Sequence, residues 1–392
     1  MRKKMIIGIF IYIVWLIFTP IMVQAANPTF NTDGIIKDQL EKVEIGKIEK
    51  YWDKLMNEYN GFFPENQKSL FDMILPNSDF KLQSFFFGIL KYIFYEILYN
   101  GKLIGTIILL AVFSAVLENI QTAFEQNAVS KIAFSITYMV LVIIAINSFS
   151  VAINVAKDAI QDMIGFMIAI IPIVLTLLAS SGSVISAAMF HPLIIFLIHV
   201  IGTAIYTVIF PLIFFSSVLF IVSSISSQYK VTELAKLLRN ISMGALGVFL
   251  TIFLGVISVQ GASAAVTDGI TLRTAKYITS NFVPVVGRMF ADATDTVVGA
   301  SLLVKNAVGM AGVIILLMII VFPAIKILVL AFIYNLSAAI MQPLGNSPII
   351  STLNMIGKNL MFVFAALATV GLMFFLSLTI IITAGNISVM LR

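Results

Sequence analysis

Apolar runs of bilayer-crossing length recur along this 392-residue chain, and they dictate what it can fold into. A membrane span needs roughly 20 apolar residues. Candidate spans fall at 103–117, 132–156, 163–179, 185–206, 209–227, 241–265, 307–330 and 359–383. From Met163 to Ser227 the apolar character is almost unbroken; "SSGS" at 180–183 and Phe210–Pro211 divide it into three. The expected fold class is an all-α polytopic membrane protein with about seven to nine transmembrane helices. Eight spans follow from the direct count, nine if Pro323–Lys326 marks a turn, and seven if one short run is re-entrant. Composition agrees: 60% of residues are hydrophobic and 11% charged, against about 25% charged in soluble domains.

The start has the layout of a secretory signal. "MRKK" is a basic n-region, "MIIGIFIYIVWLIFT" an apolar h-region, and Val23 and Ala25 stand at −3 and −1 of a small-residue cleavage site. Residues 1–25 therefore read as a signal peptide, with an uncleaved anchor as the alternative. Either way, Ala26 onward starts outside the cytoplasm. Residues 26–100 hold 11 of the 19 acidic and 8 of the 24 basic residues. Ile36, Leu40, Val43, Ile48, Tyr51, Leu55, Met56 and Tyr59 recur at helical steps. This predicts a small extracytoplasmic helical region. It ends in an aromatic segment, "FKLQSFFFGILKYIFYEILYNGK", that lies along the outer interface or begins the first span. Residues 101–392 then form the multi-span domain. The basic "QYKVTELAKLLRN" at 228–240 reads as a cytoplasmic loop, and 266–306 as an extracytoplasmic one.

The chemistry is sparse. The chain has no cysteine, which excludes disulfides, thiolate metal sites and a cysteine nucleophile. HExxH, Walker A and GxSxG motifs are absent. His191 and His199 lie eight apart with no third ligand in view. No enzyme activity, cofactor or metal is expected. Lys326, among apolar neighbours, is the candidate intramembrane charge, since a lysine at a span centre costs about 2.5–3.5 kcal/mol. Snorkelling to the cytoplasmic edge, a turn between spans, and a translocation role are its three readings. Asn147, Asn154 and Gln260 are candidate interhelical hydrogen-bonding groups, and Gly101/Gly105, Gly244/Gly247 and Gly309/Gly312 candidate close-packing pairs.

"NFVPVVGRMFADATDTVVGASLLVKNAVG", 281–309, stands apart. Pro284 and Gly287 precede a helical pattern in which Arg288, Asp292 and Asp295 fall at i, i+4 and i+7, so Arg288 can pair with Asp292. With Lys305 these residues make a candidate docking or re-entrant element.

This stretch, the signal-like start, the charged helical segment and the polytopic core resemble the stage III sporulation protein AE family of endospore-forming bacteria. The resemblance implies a component of the mother-cell stage III A complex, in the mother-cell membrane around the forespore. That complex is thought to form a channel or feeding apparatus. The implied partners are the other stage III A proteins and, directly or indirectly, stage II sporulation protein Q. No catalytic residue is implied, and residues 26–100 and 281–306 are expected to face the space between the two membranes. The competing expectation is a secondary permease for a small solute.

Overall fold

A computed structural model describes residues 46–62, 82–123, 128–225, 231–282, 286–344 and 348–390. The expected signal peptide lies outside them. The described residues are helical, without strands: α1 (Gly46–Glu58), a 3-10 turn (Asn60–Phe62), α2 (Leu82–Tyr99), α3 (Gly101–Ala123), α4 (Ala128–Ser180), α5 (Val184–Ala204), a π turn (Ile205–Ile209), α6 (Phe210–Ile225), α7 (Thr232–Phe282), α8 (Val286–Met341), a 3-10 turn (Gln342–Leu344) and α9 (Pro348–Met390). Helices α4, α8 and α9 pack on one another at the centre; α5, α6 and α7 cover one flank, and α2 and α3 another.

Among the described residues, five helical stretches are long and apolar enough to cross a membrane, or six counting the α2–α3 pair, which bends by 44°. The expected seven to nine are not confirmed among the described residues, where runs read as separate spans share a helix. Runs 132–156 and 163–179 both lie on α4, whose "KDAIQD" junction, 157–162, contains neither Pro nor Gly. Runs 185–206 and 209–227 join through the π turn. Pro211 has no N–H and crowds the preceding turn; the wider π turn, closed by the Phe210 amide on the Ile205 carbonyl, takes up that mismatch. Pro323 also sits inside a helix, so no turn forms at Pro323–Lys326. The expected loop at 228–240 is helical from Thr232, and 266–306 is helical except at 283–285, which are not described.

The break at "SSGS" does form. Ser183 donates its amide to the Leu178 carbonyl (3.1 Å) and Gly182 to Ala179 (2.9 Å), the paired bonds of a Schellman motif. Gly182 has φ 90°, which glycine adopts without steric cost. The next helix then lacks a cap of its own, for the Ser183 side chain makes none. Asp268 of α7 supplies it: Oδ1 accepts from the Ile185 amide at 2.9 Å and Oδ2 from Ser186 at 3.0 Å. The carboxylate is 2% exposed and sits against the positive end of the α5 dipole.

Hydroxyls make several further helix–helix hydrogen bonds, and the expected Asn147, Asn154 and Gln260 make none among the described residues. Tyr138 bonds Thr352 (2.7 Å), Tyr334 donates to Ser148 (2.8 Å), and Ser216 donates to the Ala235 carbonyl (2.7 Å). Asn147 and Asn154 point outward. Of the three glycine pairs, Gly309/Gly312 packs closely, against Ile382, Ile170 and Leu378; Gly101, Gly105, Gly244 and Gly247 face open space.

Replacing Asp268 with Ala should cost about 1–2 kcal/mol, the range for a lost helix cap. Asp268→Asn should cost less, because one acceptor remains. Thermal unfolding in detergent measures both, and equal losses would refute the two-amide cap.

Candidate functional site

Helix α1 docks midway along α4 and α8, and a cavity opens beneath it. Ile48, Trp52 and Leu55 recur at i, i+4 and i+7 and form the buried face of α1. Lys54, on the same helix, donates to both carboxylate oxygens of Asp162 at 2.7 Å. Tyr51 meets Phe166 edge-on (5.4 Å), and Tyr59 stacks flat on Phe322 (3.9 Å). The 3-10 turn brings Phe62 edge-on to Tyr92 at 5.0 Å, and Lys91 of α2 donates to the Gly61 carbonyl. So a segment of the charged N-terminal region is tied to the bundle by aromatic stacking and one ion pair.

The cavity has a volume of about 490 Å³. Carboxylates of Glu58, Glu96, Asp158 and Asp162 line it, with the ammonium groups of Lys54 and Lys326. Tyr59 donates to Glu58 (3.1 Å); Tyr92 donates to the buried Glu96 (2.9 Å), which also accepts from Asn100. Hydrogen bonding to Asp162 holds the Lys54 ammonium above its ordinary lysine value. Burial pushes the Tyr59 phenol up, which keeps it a proton donor.

Lys326 is thus neither a turn residue nor a group facing lipid on every side: it is half-buried, on the helical turn after Pro323, and lines the cavity. Lys305 lies elsewhere and is 0% exposed. Its Nζ donates to the Ile382 carbonyl (2.8 Å) and to Asn386 Oδ1 (2.9 Å) of α9. Gly385 makes this approach possible, since a Cβ there would crowd both Lys305 Nζ and Leu178. Lys305 is therefore a clamp inside the bundle and unavailable for docking. Gly287, Arg288, Asp292 and Asp295 fall on the first turns of α8, their side chains outside the described residues; Pro284 is not described at all. His191 and His199 are exposed, and among the described residues no three His, Asp or Glu side chains gather as a metal site would require.

Sequence reasoning missed the cavity because its lining comes from four distant segments. The signal was present in pieces: a Tyr-rich aromatic segment, "KDAIQD" inside an apolar run, and a lysine after a helical proline.

Lys54→Met should cost only about 0.5 kcal/mol, the scale of an exposed ion pair, and high salt should erase the difference. Because Lys54 is raised in the folded state, the pair contributes fully below the ordinary lysine value near 10.5 and is lost as pH rises through the folded value. Strongly alkaline buffer should therefore loosen α1 toward protease by no more than Lys54→Met does at neutral pH. Trp52→Ala should free α1 at neutral pH, a loss of about 3–5 kcal/mol. Lys305→Met removes two hydrogen bonds to half-buried acceptors and should cost about 1–3 kcal/mol by thermal unfolding in detergent. Unchanged melting would remove the clamp.

Comparison with known proteins bears out the sequence resemblance. The stage III sporulation protein AE family model matches residues 66–385. The chain is 60% identical over 351 residues to the stage III sporulation protein AE of Bacillus subtilis (strain 168), covering 89% of this chain and 88% of that one. No solved structure matches. With the family model covering most of its length, the chain belongs to the stage III sporulation protein AE family.

Proposed function

We propose that the chain is a structural membrane subunit of the channel or feeding complex joining mother cell to forespore. In this reading it resides in the mother-cell membrane and works with the other stage III A proteins and, directly or through them, with stage II sporulation protein Q. Family membership supports a role in sporulation. The observation that favours a subunit over a self-contained machine is helix length. Helix α4 has 53 residues and α8 has 56, about 80 Å each at 1.5 Å per residue. The hydrocarbon core of a bilayer is about 30 Å thick.

A belt of aromatic and charged groups marks where lipid ends. Tyr92, Tyr95, Tyr99, Lys54, Asp162 and Lys326 gather halfway along α4 and α8, and such groups favour the headgroup level. The half containing α3 and residues 128–156 then lies in lipid, with Leu109, Phe113, Ile132, Ile136 and Ile143 facing outward. The other half, with Asp268 and Lys305, projects from the membrane. Its outer wall is apolar too: Val259 is 68% exposed and Met310 65%. Apolar surface in water calls for protein cover, which the partner proteins would supply.

The absence of cysteine makes the test direct. Val259→Cys, in cells lacking the other stage III A proteins, should react with a water-soluble maleimide, and partners should suppress that reaction in sporulating cells. Ile136→Cys should react only with a membrane-permeant reagent. Reversed accessibility would place the other half in lipid; partner-independent labelling of Val259→Cys would remove the cover. The permease alternative draws on the cavity at Lys326 and requires solute flux in proteoliposomes of the purified chain alone.

A further inference from the structure

We propose that the cavity beneath α1 binds an organic ammonium group. Four carboxylates against two ammonium groups leave it two charges negative, by direct count of its lining residues. Lys54 is already committed to Asp162 through both oxygens. Among the described residues, Asp158 and Lys326 make no hydrogen bond or ion pair. Tyrosine rings form much of the remaining wall, and their faces attract cations. Pro323 adds an acceptor. Lacking an N–H, it leaves the Ile319 carbonyl without its α-helical donor, and both residues line the cavity.

Other ligand classes fit less well. An anion meets the net negative charge. An apolar molecule would strip water from Asp158 and Lys326 without replacing its hydrogen bonds. A bare metal ion finds Asp162 held by Lys54 and two more carboxylates held by tyrosine hydroxyls, in a space far larger than an ion. About 490 Å³ lies within the usual size of small-molecule sites. An alkylammonium uses what is present: carboxylates and a carbonyl for its N–H groups, ring faces for its charge and methylenes.

Two sources offer this chemistry: a soluble polyamine, or the headgroup of phosphatidylethanolamine, reached because the aromatic belt stands at headgroup height. Lys326 separates them. It repels a free amine, but pairs with the phosphate that accompanies the lipid's ammonium. The site can be tested on the purified full chain without partners, so its failure is distinct from failure of the assembly reading.

Spermidine titrated into detergent-solubilised protein, followed by tyrosine fluorescence, tests the soluble source. Native mass spectrometry after exchange into phosphatidylethanolamine or phosphatidylglycerol tests the lipid source. The expected result is saturable binding of spermidine or selective retention of phosphatidylethanolamine. Tyr95→Phe should preserve it, because the ring remains. Tyr95→Leu with Asp158→Asn should weaken it at least tenfold; both positions are exposed, so the core is spared. Lys326→Gln should tighten spermidine binding, or loosen phosphatidylethanolamine if lipid is the source. Binding of neither probe, preference for phosphatidylglycerol, or unchanged affinity in the double variant overturns the assignment.

Discussion

A helix of 53 residues reaches about 80 Å, against the roughly 30 Å of hydrocarbon that a bilayer offers one crossing. That mismatch governs the rest of the molecule. A continuous helix crosses a bilayer once, so its second apolar half needs a different environment. Charge is admitted where the halves meet, and there α1 adds Trp52, Tyr51 and Tyr59 as a packed cover over the junction. Lys157, Asp158, Gln161 and Asp162 keep their backbone helical because all of them tolerate helix and none removes a donor.

Buried charges at the far end follow the same logic with other partners. Asp268 has two backbone amides and a helix dipole; Lys305 has a backbone carbonyl and an amide oxygen. Neither ends in an opposite charge, yet each has oriented dipoles in place of water. Both tie one helix terminus to a neighbouring helix. Asp268 fixes the start of α5 on α7, and Lys305 fixes the end of α9 on α8.

The all-helical, membrane-apt character was legible in the sequence, as were the Gly182 break and Ile48 and Leu55 of the buried stripe of α1, though not Trp52. The merging of spans was not. A six-residue polar interruption such as "KDAIQD" is ambiguous in sequence, because a loop and a helical junction need the same residues. Proline misled twice, at Pro211 and Pro323, because a π turn and neighbouring packing absorb what a lone proline breaks. Lys305 read as part of an exposed element, since its acceptors lie about 80 positions later, at Ile382 and Asn386. Asp268 escaped notice because the helix it caps begins about 80 positions earlier. Cross-helix partners of this kind have no local signature.

The π turn at 205–209 inserts a phase step into an otherwise regular rod. Before it, Phe190, Ile194, Ile198, Ile201 and Ile205 face the core; after it, Ile209, Ile213, Ser217 and Phe220 do. A strict 3.6-residue repeat begun at Phe190 drifts off this second series by more than a residue. The additional residue in the wide turn resets the azimuth, so one rod keeps a buried seam on both sides of the turn. The stretch is thus a rotational coupling, and the two halves of the rod can each keep their own helical face without a break in the backbone between them.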